Sequence, residues 1–291
     1  MIYSIQNKAL TAQVSTLGAQ LMSLCGADST QYLWQGDPRY WPDRSLTIFP
    51  YVARLTQGSY RYRGKLYHMP IHGFGPTSEF TVLEHTPTSL TLGLDSSPET
   101  YAMYPFLFRF ILHYALVKAA LSVELRVENR GGKAMYFGLG GHPGINVPLE
   151  KGLAFEDYCL EFPPCAPRRV EFTEECFITG EETPFPLKDY TLPLSHSLFD
   201  NDAIVLKGIP GRVTLRSRKG THGVTLNAPD FPVFGFWHMP KTDAPYLCIE
   251  PWRSLPSRQD VVEEFDCKSD LVHLAPGGEY QNCWRIAVTG E

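Results

Sequence analysis

The sequence predicts an all-β protein, a large antiparallel β-sandwich with few short helices. Apolar and polar residues alternate in many short segments, as in residues 121–127, and this alternation is typical of half-buried strands. Glycine and proline, with 24 residues each, recur between these segments and favour turns. No convincing amphipathic helix is present, so regular hairpins should account for most of the chain.

Paired alternating segments predict four hairpins and a last strand. In each pair, a short run of turn residues separates two segments of strand-like composition. The predicted hairpins pair residues 60–62 with 66–68, 80–83 with 90–94, 108–117 with 121–127, and 212–216 with 223–227, and the last strand covers residues 284–288.

Residues 163–198 interrupt this pattern with weak periodicity and many prolines. We expect a long excursion on the surface there. Short helical turns are expected near residues 38–41 and 171–176. No change of composition marks a linker and no repeat of fixed period is evident, so residues 1–291 are predicted to form a single domain.

Composition and charge argue against several classes of function. The net charge is −5, and the densest basic cluster, residues 216–219, fits a solvated hairpin end, so no nucleic-acid partner is expected. No apolar run approaches the roughly 20 residues that span a bilayer, and the first residues do not have the pattern of a signal peptide. We therefore expect a cytoplasmic protein without a membrane partner. The seven cysteines form no C-x-x-C pair and should be reduced thiols.

Common catalytic motifs are absent from the sequence, which has no G-x-S-x-G, no H-E-x-x-H and no P-loop. Candidate chemistry therefore rests on titratable residues in unusual local settings. His142 follows a glycine-rich segment and precedes Pro143, which favours an extended backbone at His142. A rigidly presented histidine at a strand end can act as a general acid near neutral pH. A structural histidine in a turn is the alternative.

Glu250 stands at the end of an apolar run, residues 246–249, again before a proline. A carboxylate inside an apolar strand is rare unless it is paired or functional. Glu250 is therefore a candidate catalytic group, and a core glutamate held by an arginine is the alternative.

Two further segments place polar groups among apolar residues. Arg54 follows the apolar residues 49–53, and His72 precedes a glycine and an aromatic residue. Taken alone, each is more often structural than catalytic. Residues 200–202 are acidic and amide groups that enter an apolar strand, and an Asx turn that caps the strand is the alternative there.

Taken together and in this order, these segments resemble the aldose 1-epimerase (galactose mutarotase-like) superfamily, with the LacX-like group as the nearest branch. The resemblance covers nearly the whole chain, and the ordered set is specific although each segment is weak alone. The segments are residues 15–21 (STLGAQL), 32–37 (YLWQGD), 49–50 (FP), 72–74 (HGF), 104–106 (YPF), 140–143 (GGHP), 199–202 (FDND) and 249–252 (IEPW).

The resemblance implies a β-sandwich with an open cleft that binds a sugar. It implies an isomerase that interconverts the α and β anomers of a hexose-type sugar, with no metal and no organic cofactor. Its partner would be the small-molecule substrate, and the protein would be a monomer or a homodimer. Carried over by motif, His142 looks like the general acid and Glu250 like the general base.

The same resemblance assigns substrate binding to Arg54 and His72. An acidic residue near the start of the apolar strand should contact sugar hydroxyls, and Asp202 is preferred to Asp200 because it lies nearer that strand. Trp252 could offer its face to the sugar ring. The candidate aromatic walls of the site are Phe74, Phe137, Trp237 and Trp252.

Three departures from the family pattern border the expected pocket. Ala53 replaces the glycine often found before the arginine, Gly75-Pro76 stands where Ala-Arg is common, and Gly144 stands where alanine is common. Because these changes lie at the expected pocket, they bear on which sugar is bound more than on the fold.

The proposed roles suit the reaction, because opening a hemiacetal ring requires one group that accepts a proton and one that donates a proton. Glutamate is ordinarily a carboxylate at neutral pH, and histidine titrates near pH 6.5. A nearby carboxylate should favour the protonated imidazole of His142.

Two other functions fit parts of the pattern. A glycoside hydrolase needs two carboxylates flanking the bond, for which Asp202 and Glu250 are the available pair, and His142 would then be idle. A non-catalytic carbohydrate-binding or sensing protein would not need both His142 and Glu250. The sugar itself is not identified by the sequence. If it carries a phosphate, the arginines that could bind the phosphate are Arg39, Arg44, Arg61 and Arg63.

Overall fold

The computed structural model describes residues 1–290, and their regular secondary structure is almost entirely β-strand. The first strands are β1 (Ile2–Gln6), β2 (Leu10–Ser15), β3 (Leu21–Gly26), β4 (Ser45–Ile48), β5 (Ser59–Tyr62), β6 (Lys65–His68), β7 (Thr81–His85), β8 (Ser89–Asp95), β9 (Phe108–Val117), β10 (Ala120–Asn129), β11 (Met135–Phe137) and β12 (Gly140–Asn146). The later strands are β13 (Tyr158–Glu161), β14 (Arg168–Phe172), β15 (Ile178–Pro184), β16 (Thr191–Pro193), β17 (Ile204–Lys207), β18 (Arg212–Ser217), β19 (Gly223–Asn227), β20 (Val233–Trp237), β21 (Tyr246–Trp252), β22 (Val272–Leu274) and β23 (Glu279–Thr289). The helical segments are α1 (Pro98–Met103) and 3-10 turns at Thr56–Gly58, Gly75–Thr77, Phe155–Asp157 and His196–Phe199.

The predicted hairpins are confirmed as antiparallel pairs, namely β5 with β6, β7 with β8, β9 with β10 and β18 with β19. The predicted last strand lies within β23. In β10, buried and half-buried residues alternate along the whole strand, because successive side chains of a strand point to opposite faces of the sheet. The two-residue period of apolar residues in the sequence therefore matches a two-residue period of burial in the fold.

Two large antiparallel sheets form the predicted sandwich. One has nine strands in the order β16-β13-β18-β19-β23-β10-β9-β8-β7, and the other has seven strands in the order β15-β14-β17-β20-β21-β12-β4. Apolar side chains from both sheets belong to one core cluster, which includes Leu125 of β10 and Ile249 of β21. The seven-stranded sheet therefore has an inner face, which packs on the nine-stranded sheet, and an outer face.

The central strands of the seven-stranded sheet are buried on both faces. Every residue of β21 is buried, and its side chains divide by alternation. Leu247 and Ile249 join the core between the sheets, whereas Cys248 and Trp252 belong to smaller clusters on the outer face. Glu250 lies between Cys248 and Trp252 in this alternation, so its side chain also points to the outer face.

The prediction of a surface excursion at residues 163–198 is wrong for its middle part. β14 and β15 form a hairpin at one edge of the seven-stranded sheet, and β14 pairs with β17. Most of the hairpin is exposed or half-buried, so no clear apolar period marks it in the sequence. The helical turn expected at residues 171–176 is also wrong, because β14 ends at Phe172 and a tight turn follows, in which the amide of Cys176 donates to the carbonyl of Thr173. Near residues 38–41, a hydrogen-bonded turn does form, with the amide of Trp41 donating to the carbonyl of Asp37 at 2.8 Å.

All seven cysteines are free thiols, as the sequence predicts. None of the helices within residues 1–290 combines the length and apolar character that crossing a bilayer requires.

Candidate active site

His142 and Glu250 lie opposite each other on the outer face of the seven-stranded sheet. β12 and β21 pair Gly140 with Trp252 and Gly144 with Cys248, and this register places His142 across from Glu250. Residues directly opposite on one face of an antiparallel pair have Cβ atoms about 4.5–5.5 Å apart, close enough for their side chains to meet. Nε2 of His142 lies 3.2 Å from Oε2 of Glu250.

The pair is almost completely buried, with 6% of His142 and 1% of Glu250 exposed. Nε1 of Trp252 donates a hydrogen bond to Oε2 of Glu250 at 3.1 Å. The same carboxylate oxygen is therefore in contact with the imidazole and the indole, and the two contacts fix the direction of the carboxylate.

Burial governs the protonation of both groups. Burial raises the pKa of Glu250 well above its usual range; the hydrogen bond from Trp252 opposes this shift and the charge of Asp202 adds to it. Burial lowers the pKa of His142 well below its usual range, and His72 contributes to the same shift. The expectation that the neighbouring carboxylate would favour a protonated His142 is therefore wrong in direction, because loss of water disfavours charge on either group. The pair is best described as holding one proton between the two side chains.

Aromatic rings enclose His142. The ring centroid of Trp41 lies 4.8 Å from that of His142, and the Trp237 and His72 rings meet it edge to face at 5.8 Å and 5.3 Å. Gly144 makes the close approach of Trp41 possible, since a Cβ at that position would lie 3.0 Å from Cζ3 of Trp41. Glycine instead of alanine at position 144 therefore leaves room for the Trp41 ring beside His142.

His72 is held as a neutral hydrogen-bond donor. The amide of Ala53 donates to its Nδ1 at 3.2 Å, so the proton of the neutral ring is on Nε2. Burial, together with the charge of Arg54, lowers the pKa of His72 to about 4. Ala53 and His72 both have positive φ, 54° and 62°, and the value at Ala53 explains why glycine suits this position.

Arg54 and Asp202 complete the polar wall. Nη1 of Arg54 donates to the carbonyl of Glu175 at 3.2 Å, and Arg54 is half-buried. One carboxylate oxygen of Asp202 accepts the amide of Ala203 at 2.8 Å, and the other accepts the thiol of Cys176 at 2.7 Å. Burial and the bond to Asp202 raise the pKa of the Cys176 thiol to about 11, so the thiol keeps its proton and acts as a donor.

One cavity of about 240 Å³ joins all these groups on the outer face of the seven-stranded sheet. The residues predicted from the sequence that line it are His142, Glu250, Arg54, His72, Asp202 and Trp252. Asp202 lines the cavity, whereas Asp200 is exposed and does not. Of the predicted aromatic walls, Trp237 and Trp252 line it, and Phe74 and Phe137 lie instead in the core between the sheets.

Sequence reasoning missed several residues of the cavity. Trp41 and Leu46 come from the segment before and within β4, and Phe172 and Cys176 come from the β14–β15 hairpin. Asn201 also lines the cavity. No signal in the sequence marks Phe172 or Cys176, because the exposed and half-buried strands of their hairpin lack a clear apolar period. The arginines considered for a phosphate do not line the cavity within residues 1–290, namely Arg39, Arg44, Arg61 and Arg63.

The fold and the site define a class of protein: a large antiparallel β-sandwich with a buried histidine–glutamate pair at the base of a cavity on one sheet. The chain belongs to the aldose 1-epimerase family, which matches residues 1–282.

Relatives agree with this assignment over nearly their whole length. The chain is 32% identical to the chromosomal LacX protein of Lactococcus lactis subsp. lactis, covering 99% of each chain. A galactose mutarotase related enzyme from Lactobacillus acidophilus is similar in structure, with a TM-score of 0.94, 32% identity, and 99% and 97% of the two chains covered. A galactose mutarotase-like protein from Lactobacillus casei has a TM-score of 0.94 and 30% identity, with 99% and 100% covered. Membership of the family supports an isomerase-type enzyme that interconverts sugars.

Proposed function

We propose that this protein is a mutarotase that interconverts the α and β anomers of a hexose-type sugar by acid–base ring opening and closure, without a cofactor. The observation that carries the proposal is the 3.2 Å contact between Nε2 of His142 and Oε2 of Glu250 at the wall of a cavity. An enzyme of this kind needs a proton donor and a proton acceptor side by side, since the two oxygens that exchange protons are bonded to one carbon of the hemiacetal.

The catalytic cycle follows from that geometry. Glu250 accepts the proton of the anomeric hydroxyl while His142 donates a proton to the ring oxygen, and the bond between the anomeric carbon and the ring oxygen breaks. The aldehyde carbon then rotates, and closure on its other face reverses both transfers. Each positioned proton-transfer group contributes about 100- to 10,000-fold.

The shared proton makes this cycle self-restoring. Ring opening uses the arrangement with the proton on His142 and a carboxylate at Glu250, and the buried pair reaches that arrangement by transfer of one proton across the 3.2 Å contact. Either arrangement has no net charge, so the transfer does not leave an uncompensated charge in the buried site. After ring closure both groups regain their starting protonation, and no water molecule or cofactor is needed to reset them.

The remaining polar groups of the cavity are proposed to bind sugar hydroxyls. Nε2–H of His72 and the guanidinium of Arg54 would donate hydrogen bonds, and Asp202 would accept them. Trp252, which lines the cavity beside Glu250, would pack its ring against the apolar face of the sugar. Loss of one such hydrogen-bond partner in a buried site costs about 1–3 kcal/mol.

The test is the rate of anomer exchange, followed by NMR or polarimetry after a pure anomer is dissolved with the protein. Glu250→Gln should lower kcat/KM by at least about 100-fold, because the amide cannot accept the proton. Glu150→Gln is the matched control, since Glu150 also lies near a histidine, 3.1 Å from Nδ1 of His222, but outside the cavity. Near-normal exchange by Glu250→Gln would remove the assignment.

A panel of free and phosphorylated aldoses identifies the substrate in the same assay. A sugar that binds tightly but exchanges anomers no faster than in buffer would favour the sensing alternative. Release of reducing sugar from a glycoside would favour the hydrolase alternative.

We also propose that residues 1–291 act as one domain and that the enzyme works in the cytoplasm. Side chains of both large sheets share one core cluster, which supports the first proposal. The seven free thiols suit a reducing compartment, which supports the second.

A further inference from the structure

The outer face of the seven-stranded sheet brings together three metal-ligating side chains, of which the proposed reaction uses two. A ring nitrogen of His142, Sγ of Cys248 and a carboxylate oxygen of Glu250 all lie within 4.8 Å of one another, and all three residues are buried. We propose that these three side chains form an inhibitory binding site for a borderline-to-soft divalent cation, with Zn²⁺ as the expected ion.

The backbone explains why the three groups converge. Cys248 and Glu250 are alternate residues of β21 and therefore point to the same face, and His142 lies across from Glu250 on β12. In a tetrahedral zinc site, bonds of about 2.0–2.3 Å place neighbouring ligand atoms about 3.4–3.6 Å apart. The contact between His142 and Glu250 is 3.2 Å, and all three ligand atoms lie within 4.8 Å of one another, which is near the spacing of ligands around zinc.

The chemistry of the donors selects the ion. A thiolate, a carboxylate and a neutral imidazole carry a total charge of −2, which balances Zn²⁺ and avoids a net charge in this buried position. The thiol of Cys248 and the His142–Glu250 pair each release one proton to water, and three bonds from the metal to these side chains replace bonds to water molecules, which leave. Mg²⁺ and Ca²⁺ prefer oxygen ligands and should bind poorly.

The cavity supplies access and a fourth position. His142 and Glu250 line it, whereas Cys248 lies behind them among Trp34, Trp41 and Tyr246. An ion entering from the cavity would meet the catalytic pair first and the thiol last, and its fourth position would face the cavity, as in zinc sites with three protein ligands. The ion would occupy the atoms that transfer protons. The inhibitory effect thus rests on the proposed function, but binding of the ion does not.

Binding is tested by titrating the full chain with ZnCl₂ in a calorimeter, in parallel with Cys248→Ser and Cys248→Ala. Cys159→Ser is the matched control, because Cys159 is also a buried free thiol but lies on β13 of the other large sheet. The unchanged protein and Cys159→Ser should each bind one Zn²⁺, and both Cys248 variants should bind it at least about 100-fold more weakly, the upper end of what loss of a supporting residue costs.

A second measurement keeps the test valid if the Cys248 variants fold poorly. Co²⁺ added to the unchanged protein should produce a thiolate-to-cobalt charge-transfer band, and MgCl₂ in excess should not remove it. The band should persist in Cys159→Ser. Absence of the band in the unchanged protein overturns the proposal, as does equal Zn²⁺ affinity in folded Cys248→Ser.

Inhibition is measured on anomer exchange, with each variant compared with its own rate without zinc. Saturating ZnCl₂ should lower the rate of the unchanged protein at least tenfold, because the ion blocks groups that each contribute about 100-fold or more. The same concentration should lower the rate of Cys248→Ser far less. Equal inhibition of both would overturn the role of Cys248. If the unchanged protein binds one Zn²⁺ but does not accelerate anomer exchange, the proposed function fails while the metal site stands.

Discussion

His142 and His222 both contact carboxylates, and their pKa values move in opposite directions. His142 lies 3.2 Å from Glu250 on the outer face of the seven-stranded sheet, and burial lowers its pKa. His222, at the start of β19, donates to Oδ2 of Asp28 at 2.7 Å and has Glu150 3.1 Å from its other ring nitrogen. There the hydrogen bond to Asp28, with Glu150 next in effect, raises the pKa of His222 and holds the pKa of Asp28 at about 2.

The difference shows which physical effect dominates in each region. Water reaches the His222 cluster, where 17% of the histidine side chain and 42% of the Asp28 side chain are exposed, so charged forms are solvated and the carboxylates stabilise the imidazolium. Around His142, aromatic rings exclude water, and the cost of charge exceeds the attraction between the two groups. A histidine beside a carboxylate is therefore an ordinary surface ion pair in one place and a buried pair without net charge in the other.

The same substitution at the two histidines should have very different effects on activity. His142→Gln should lower kcat/KM for anomer exchange by about 100- to 10,000-fold, because one proton-transfer group is lost. His222→Gln should leave kcat/KM within about twofold of the unchanged protein, since surface changes away from a site have small effects. Comparable losses in the two variants, both measured by NMR and both folded by circular dichroism, would contradict the assignment.

The pH dependence of activity should also reflect the burial of the His142–Glu250 pair. The pair with one proton is neutral overall, whereas adding a proton leaves a positive pair and removing it leaves a negative pair. Burial disfavours both charged states, which agrees with the lowered pKa of His142 and the raised pKa of Glu250. The pKa that governs the acid limb of kcat/KM should therefore lie below about 4.3, and the pKa that governs the alkaline limb should lie above about 6.5. These limits are the ordinary pKa values of the two side chains.

A plateau wider than the interval between these two values is the expected profile. Ordinary pKa values would instead give a narrow bell, with roughly a hundredfold loss by about pH 8.5. Such a bell, recorded in a series of buffers of constant ionic strength, would show that the site is more accessible to water than the structure indicates.

A smaller effect is expected on stability at His222. A group whose pKa is raised on folding stabilises the folded state fully below its unfolded pKa, near 6.5, and loses that contribution as pH rises through the folded pKa. His222→Gln should thus lower the free energy of unfolding by about 1 kcal/mol or less near pH 5.5, the range for exposed pairs, and by less near pH 9. Urea denaturation at both pH values measures the difference, and a larger loss at pH 9 would refute the sign.

The smallest predicted effect concerns Ala53, the residue before Arg54. Its φ of 54° costs an L-residue about 1–2 kcal/mol, whereas glycine adopts it freely but loses about 0.5–1 kcal/mol of backbone entropy on folding. Ala53→Gly should therefore raise the free energy of unfolding by about 1 kcal/mol or less and leave anomer exchange unchanged within about twofold. Thermal unfolding is the measurement, and a clear loss of stability would mean that the methyl group of Ala53 contributes packing that outweighs the strain.

The sequence predicts the regular part of this fold well because strand burial repeats every two residues. The β9–β10 hairpin follows the prediction closely, with Val117 and Ala120 flanking the turn. His142 and Glu250 could also be identified as candidates, since each is a titratable group in an extended segment before a proline. Their contact could not be derived locally, because it depends on the register between β12 and β21.

The parts that the sequence did not predict have no local signal. Trp41 reaches His142 because Gly144 leaves room for it on a different strand. Cys176 reaches the cavity because β14 and β15 pair at the edge of the sheet, and edge strands with polar faces resemble loops in sequence. The protonation of the pair was predicted in the wrong direction, because the sequence shows the neighbouring carboxylate but not the depth of burial.

Under the proposed function, the β14–β15 hairpin carries part of the sugar-binding site on a piece of chain separate from the proposed catalytic pair. The proposed catalytic pair stands on the central strands β12 and β21, whose alternate side chains belong to the core between the sheets. The tip that carries Cys176 and contacts Arg54 through Glu175 joins two outermost strands and can vary in length or composition at little cost to the sandwich. Under the proposed function, grafting this tip from one homologous protein to another should change the sugar that is accepted and keep the proton-transfer chemistry.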